Sequence, residues 1–136
     1  MTSDHSTLVK AARDLLLYSD PETAGLWPRA AALLARQALE IGLDEFWVGN
    51  APGVQKASAR AQLLCLPTYM DALTARKADH AWEALSRACH HHPYELAPTA
   101  AELYSWIEDV DQVLQRTSGD RADRPDAKGH YPPAAS

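Results

Sequence analysis

Leu96-Ala97-Pro98-Thr99-Ala100-Ala101-Glu102-Leu103-Tyr104-Ser105-Trp106-Ile107-Glu108-Asp109-Val110-Asp111-Gln112-Val113-Leu114 decides the fold class. Leu96, Ala100, Leu103, Ile107, Val110 and Leu114 recur at three- and four-residue steps, which places them on one stripe of a helix. Thr99 and Glu102 stand three apart before the stripe, the spacing of a capping box. A hydroxyl at the cap and a carboxylate at the third helical position each take one orphan N–H. An amphipathic helix of this length needs other helices to cover its apolar face.

Working upstream, four more helical segments are predicted. The first covers Ser6 to Tyr18, with Ser6 as N-cap and Leu8, Ala11, Ala12, Leu15 and Leu16 inward. Ser19-Asp20-Pro21-Glu22 breaks it. The second runs from Pro28 to Val48, with Ala30, Leu34, Ala38, Ile41 and Glu45/Phe46 at helical spacing. It stops at Gly49-Asn50-Ala51-Pro52-Gly53. A short third helix covers Val54 to Leu66, and Pro67 interrupts it. Thr68 with Asp71 resembles a capping box for the fourth helix, Tyr69 to His91, with Leu73, Ala81, Ala84, Leu85 and Ala88 inward. Pro93 disfavours helical geometry at the residue before it, so the fourth helix is expected to close at His91.

After Arg116 the apolar pattern is lost. Asp120, Asp123 and Asp126 alternate with Arg121, Arg124 and Lys128, followed by Gly, Pro and Ala. Residues 117–136 therefore read as a disordered tail and residues 1–116 as one domain. The expected fold is all-α: an antiparallel up-and-down four-helix bundle with one additional short helix and that tail.

Composition narrows the function classes. In 136 residues, 46% are apolar, enough for one core, and only 6 are glycine. The net charge of −5 argues against a large duplex-binding footprint. Cys65 and Cys89 are too few for a disulfide framework and read as two buried thiols in a reducing cytoplasm. No apolar run approaches the ~20 residues of a membrane span, and Met-Thr-Ser-Asp-His is not the start of a signal peptide. A cytoplasmic protein away from membranes is expected.

The chemistry-bearing stretch is Arg87-Ala88-Cys89-His90-His91-His92-Pro93-Tyr94, where the fourth helix ends. An arginine is permanently cationic and matches phosphate geometry. A histidine carries or gives up a proton near neutral pH. On a continuous helix Arg87 and His92, five residues apart, would diverge by roughly 140°. Pro93 pushes His92 out of the helix, which lets the imidazole fold back toward Arg87. Together they supply what RNA cleavage needs without a metal. The base removes the 2′-hydroxyl proton, the 2′-oxygen attacks the adjacent phosphate, and the products carry a 2′,3′-cyclic phosphate and a 5′-hydroxyl. Arg87 would hold the phosphate and offset its developing charge. Two such pairs across a twofold axis would provide separate acid and base, and a dimer would cover spare apolar surface. His91 and His90 are auxiliary candidates for the same role. The competing reading is an arginine and a histidine that merely suit a helix C-terminus.

The segment resembles the signature of HEPN domains (higher eukaryotes and prokaryotes nucleotide-binding). Arg87, His92 and Tyr94 match the longer form R-x(4)-H-x-Y, similar to the HEPN toxin of HEPN–nucleotidyltransferase toxin–antitoxin pairs. Ala35-Arg36-Gln37-Ala38-Leu39-Glu40 is similar to an early helix of many HEPN proteins, and the likeness spans Thr7 to Arg116. The resemblance implies a dimeric helical bundle, metal-independent ribonuclease activity, catalytic Arg87 and His92, and RNA as substrate. It also implies Tyr94 as the site where a nucleotidyltransferase antitoxin would attach a nucleotide and silence the toxin. Many HEPN domains only bind, so a non-catalytic bundle holding nucleotide, RNA or protein is the alternative. A plain helical dimerisation protein is a third reading.

Other constellations read as structural. Adjacent histidines diverge on a helix, and His80 with Glu83 lacks the second half of a two-metal site, so no metal or cofactor is expected. Trp27, Trp47, Trp82 and Trp106 read as core or interface residues, with a ring stacked on an RNA base as the alternative. Glu108, Asp109 and Asp111 read as a solvated face, and Cys89 as a packed thiol.

Overall fold

The computed structural model describes residues 4–17, 27–90 and 96–122, and among these no strand occurs. Five α-helices follow in order: α1 (Asp4–Leu17), α2 (Trp27–Asn50), α3 (Ala59–Cys65), α4 (Ala72–Cys89) and α5 (Ala100–Ala122). Single 3₁₀ turns at Val54–Lys56 and Leu66–Thr68 flank α3. The four long helices share one core. α2 packs against α1, α4 and α5, α4 also meets α5, and α1 closes on α5.

Why α2 takes the centre is visible in its side chains. Ala31, Ala32, Ala35 and Ala38 are wholly buried, and so are Leu39 and Trp47. Alanine adds little bulk, so neighbouring helices approach closely on that stretch. The larger side chains then fill the far end, where Trp47 meets Phe46 and Tyr69 edge-to-face, each at 5.1 Å between ring centroids. The expected stripe is displaced by about one residue. Ala38 and Phe46 are buried as anticipated, whereas Ala30, Leu34 and Ile41 are only half-buried. A helix covered on three sides has a wider buried face than a single stripe, and periodicity locates its edge as readily as its centre. The same holds for α1, where His5, Val9 and Ala12 are the buried positions and Leu8, Leu15 and Leu16 are only half-buried.

Helix ends follow the local chemistry, with four corrections. α1 is already helical at Asp4, so Ser6 lies inside it and is no N-cap. The third segment is not continuous: Ser58 caps α3, its hydroxyl accepting from Ala61 N–H at 3.2 Å, and Val54–Lys56 is a separate turn. Gly53 enters that turn at φ 110°, a left-handed backbone that glycine adopts without a Cβ penalty. Thr68 is not a cap either. Pro67 places it in a 3₁₀ turn, and Asp71 caps α4, accepting from Thr74 N–H at 3.0 Å and from its hydroxyl at 2.7 Å. Leu73, expected inward, is 58% exposed, because α4 begins one turn later and its inward positions start at Thr74 and Ala75.

At the start of α5, the capping box is present. Thr99 N–H donates to Glu102 Oε1 at 3.0 Å, and Glu102 N–H donates to Thr99 Oγ1 at 3.1 Å. Leu103, Ile107, Val110 and Leu114 are buried, but Leu96 precedes the helix at 98% exposure and Ala100 is exposed. Residues 117–122, expected in the tail, are helical. α5 continues through Ala122, and Thr117 is buried with its hydroxyl donating to Leu114 O at 3.0 Å. The apolar repeat ends at Leu114, but backbone hydrogen bonding and i→i−3 side-chain bonds carry a helix beyond its last apolar residue. The breaker Ser19–Glu22 and residues 123–136 of the expected tail lie outside the described residues.

Two contacts lock the arrangement. Arg13 on α1 reaches α5, with Nη2 2.7 Å from Glu108 Oε1 and 2.8 Å from Asp111 Oδ2. Both acids hold the guanidinium pKa above its ordinary value, chiefly the Asp111 hydrogen bond. The three side chains are about a third exposed, so the cluster stabilises by roughly 1 kcal/mol, not several. The acidic face read from sequence as solvated is thus partly an inter-helix clasp. The second contact is steric: Gly42 lies against Leu114, where a Cβ would overlap Leu114 Cδ2.

One test follows from the steric contact and one from the cap of α4. Gly42→Ala is expected to lower stability in urea titration: overpacking of about 1–3 kcal/mol outweighs the about 1 kcal/mol that alanine gains in a helix. An unchanged or higher midpoint would show that Leu114 has room to move. The Asp71 carboxyl is held below its ordinary pKa, first by the Thr74 hydroxyl and then by the Thr74 N–H. Its stabilisation is therefore full above the unfolded carboxylate range of about 4 and is lost as pH falls through the lower folded value. The thermal stability gap between wild type and Asp71→Ala is expected to be largest at neutral pH and to shrink in acid. A gap independent of pH would remove the ionised cap.

Candidate functional site at the α4–α5 junction

α4 ends because its last N–H group finds two carbonyls rather than one. His90 N–H donates to Arg87 O and Ser86 O, both at 3.2 Å, and the residue turns to φ −107°, ψ 31°. This shared bond tightens the last turn. The helix closes at Cys89, two residues before the expected His91. Arg87 is thus one turn from the end. Ala81, Ala84, Leu85 and Ala88 take the inward positions of the same helix, which leaves Arg87 exposed on the flank facing α5.

A hollow of about 340 Å³ opens beside it. Ala84 and Ala88 line it from α4, Glu102 and Trp106 from α5, and Leu96 from the segment that leads into α5. The cause is local sequence: alanine at two successive turns of α4 leaves space that a leucine would fill. Arg87 stands at its edge, and among the described residues no carboxylate forms an ion pair with it. Glu102, in the same lining, holds Thr99 N–H and makes no ion pair with Arg87. The hollow therefore carries one cation and one anion that do not neutralise each other.

Of the residues singled out from sequence, the structure places Arg87 at this hollow and His90 at the exposed helix cap. His91, His92 and Tyr94 lie outside the described residues. Glu102 was legible only as a cap, and Trp106 as a core or interface ring with base stacking as the alternative. Their part in the hollow depends on how far α5 is set from α4, for which the sequence carries no signal.

The remaining candidates have structural partners. Trp47 is core, and Trp27, Trp82 and Trp106 pack on it partly buried. Trp82 Nε1 donates to Glu40 Oε1 at 3.1 Å, and the Arg60 guanidinium stands 5.7 Å from the Trp82 ring centroid. His80 and Glu83 are exposed, and among the described residues no three His, Cys, Asp or Glu side chains converge as metal ligands. Cys89 is half-buried. Burial pushes its thiol pKa up, with Arg36 and Arg29 opposing that shift. A thiol held protonated is a poor nucleophile. No helix among the described residues is long and apolar enough to cross a membrane.

Comparison with family models, with curated proteins and with solved structures finds no match to this chain.

The thiols offer a direct check on this placement. Both were expected to be buried, but Cys65, at the end of α3, is exposed, and Cys89 is half-buried with a raised pKa. A thiol-reactive reagent at pH 7.5 is expected to label Cys65 first and Cys89 many-fold more slowly. Equal labelling rates in the native protein would contradict the packing around Cys89.

Proposed function

We propose that this chain is a HEPN-type ribonuclease: an antiparallel up-and-down helical bundle that acts as a homodimer and cleaves RNA without a metal. The observation that carries the reading is Arg87, an exposed guanidinium beside a hollow at the α4–α5 junction, with no ion-pair partner among the described residues. An unpaired arginine at a concave surface suits a phosphate, which it can grip through two N–H groups at once. Arg87 also opens the R-x(4)-H-x-Y motif, so His92 and Tyr94 follow within the next seven residues of the chain. The all-helical architecture and the shared core of α1, α2, α4 and α5 agree with a HEPN-like bundle.

The mechanism assigns each group one task. His92 takes the proton from the ribose 2′-hydroxyl. The 2′-oxygen attacks phosphorus and the bond to the 5′-oxygen breaks. Arg87 offsets charge on the non-bridging oxygens as it grows. The imidazole of the second protomer returns a proton to the leaving 5′-oxygen. His90, exposed at the cap of α4, is the nearest described auxiliary to this site. In the toxin reading, a nucleotidyltransferase antitoxin modifies Tyr94. A bulky anionic nucleotide two residues from His92 would exclude RNA by volume and by charge.

The test uses the full chain with single-stranded RNA in EDTA. Wild type is expected to yield 2′,3′-cyclic phosphate and 5′-hydroxyl ends. Arg87→Ala and His92→Ala are each expected to lower the rate by about 10²–10⁴-fold. Undiminished cleavage by both variants would reject the assignment. Absence of cleavage by wild type, with RNA or nucleotide still bound, would favour the non-catalytic bundle. Co-expression with a partner nucleotidyltransferase is expected to add one nucleotide mass, lost in Tyr94→Phe.

A further inference from the structure

We propose that the hollow beside Arg87 is a base-binding subsite that selects a guanosine nucleotide on the 5′ side of the cleaved linkage. This rests on the reading of the α4–α5 junction as an RNA site. It adds a residue-level account of which nucleotide the site accepts.

The hollow holds two opposite charges apart. Arg87 and Glu102 both line it, and neither pairs with the other. A ligand that fits must present an anion to one end and hydrogen-bond donors to the other. A nucleoside 3′-phosphate does so: the phosphate meets Arg87 and the base meets Glu102. Its apolar walls suit a flat ring. Trp106 is half-buried against the core and also lines the hollow. Leu96 stands at the rim with 98% of its surface exposed, the most exposed large apolar side chain among those described. Aromatic side chains are common platforms for unstacked RNA bases. The volume of about 340 Å³ lies near the small end of the range for small-molecule sites.

Glu102 chooses the base. A carboxylate only accepts hydrogen bonds. Guanine offers two adjacent donors, N1–H and the exocyclic amine, to one carboxylate. Uracil offers a single N–H flanked by carbonyls that repel it. The bond from Thr99 N–H to Glu102 Oε1 fixes the side chain and leaves lone pairs on both oxygens. The cap thus doubles as a positioning device: the bond that starts α5 also aims its carboxylate.

The experiment measures binding by calorimetry on the full chain, with guanosine 3′-monophosphate, uridine 3′-monophosphate and inorganic phosphate as probes. Guanosine 3′-monophosphate is expected to bind at least about tenfold more tightly than the uridine nucleotide, a difference one well-paired polar group can supply. Glu102→Gln is expected to erase that preference while leaving phosphate binding unchanged. Glutamine still accepts from Thr99 N–H, so the capping box and the fold persist, which melting by circular dichroism verifies. Trp106→Leu is expected to weaken both nucleotides by about fivefold or more through lost stacking. Equal affinity for guanosine and uridine nucleotides overturns the proposal. So does a preference that survives Glu102→Gln. A heat signal set by protein concentration alone, as when a second copy fills the hollow, overturns it as well. RNA cleavage without guanosine bias at the cut would sink this inference and leave the nuclease reading intact. Guanosine-selective binding without cleavage would do the reverse.

Discussion

Close approach to α2 is the constraint on which the rest depends. Four of its alanines are wholly buried, and α1, α4 and α5 all rest on that helix. Alanine at these positions sets how near the other axes can come. Leu39, Leu43 and Trp47 then fill the space the alanines leave further along. Gly42 belongs to the same logic, since Leu114 of α5 occupies the place a side chain would take. Larger residues here would spread every other helix, and with them the α4–α5 junction.

That junction shows how a core device becomes a surface feature. Alanine on α4 continues to its last turns, at Ala81, Ala84 and Ala88. Deep in the bundle, Leu103, Ile107 and Val110 of α5 fill the gap. Near the end α5 has only just begun, and Glu102 and Trp106 border an open space. A hollow at the end of a helix pair is a consequence of small residues running past the point where the partner helix can cover them. Charge then gives it chemical character, with a guanidinium at one side and a carboxylate tied to a backbone N–H at the other. Three other arginines have acidic partners. Arg13 meets two acids, Arg36 stands 3.6 Å from Glu40, and Arg116 stands 3.3 Å from Asp71. Arg87, like Arg60 and Arg76, forms no ion pair among the described residues, and of these three it is the one that lines the hollow.

Periodicity and capping chemistry determined, without coordinates, that this is an all-helical chain with long second, fourth and fifth helices, and that Thr99 and Glu102 start the last one. Those signals are local, written in residues three or four apart, and local geometry obeys them. Sequence also singled out Arg87 as chemistry-bearing, because its charge and its place near a helix end are one-dimensional facts. It did not determine which of two nearby polar residues caps a helix. Thr68 and Asp71 compete at α4, and the 3₁₀ turn imposed after Pro67 decides for Asp71. Nor did it show that Glu108 and Asp111 clasp Arg13 across more than ninety residues. The position of Glu102 and Trp106 opposite Arg87 was likewise out of reach. Each of these depends on the offset and rotation of one helix against another, which is settled by packing the whole core at once. No residue spacing along a single helix encodes it.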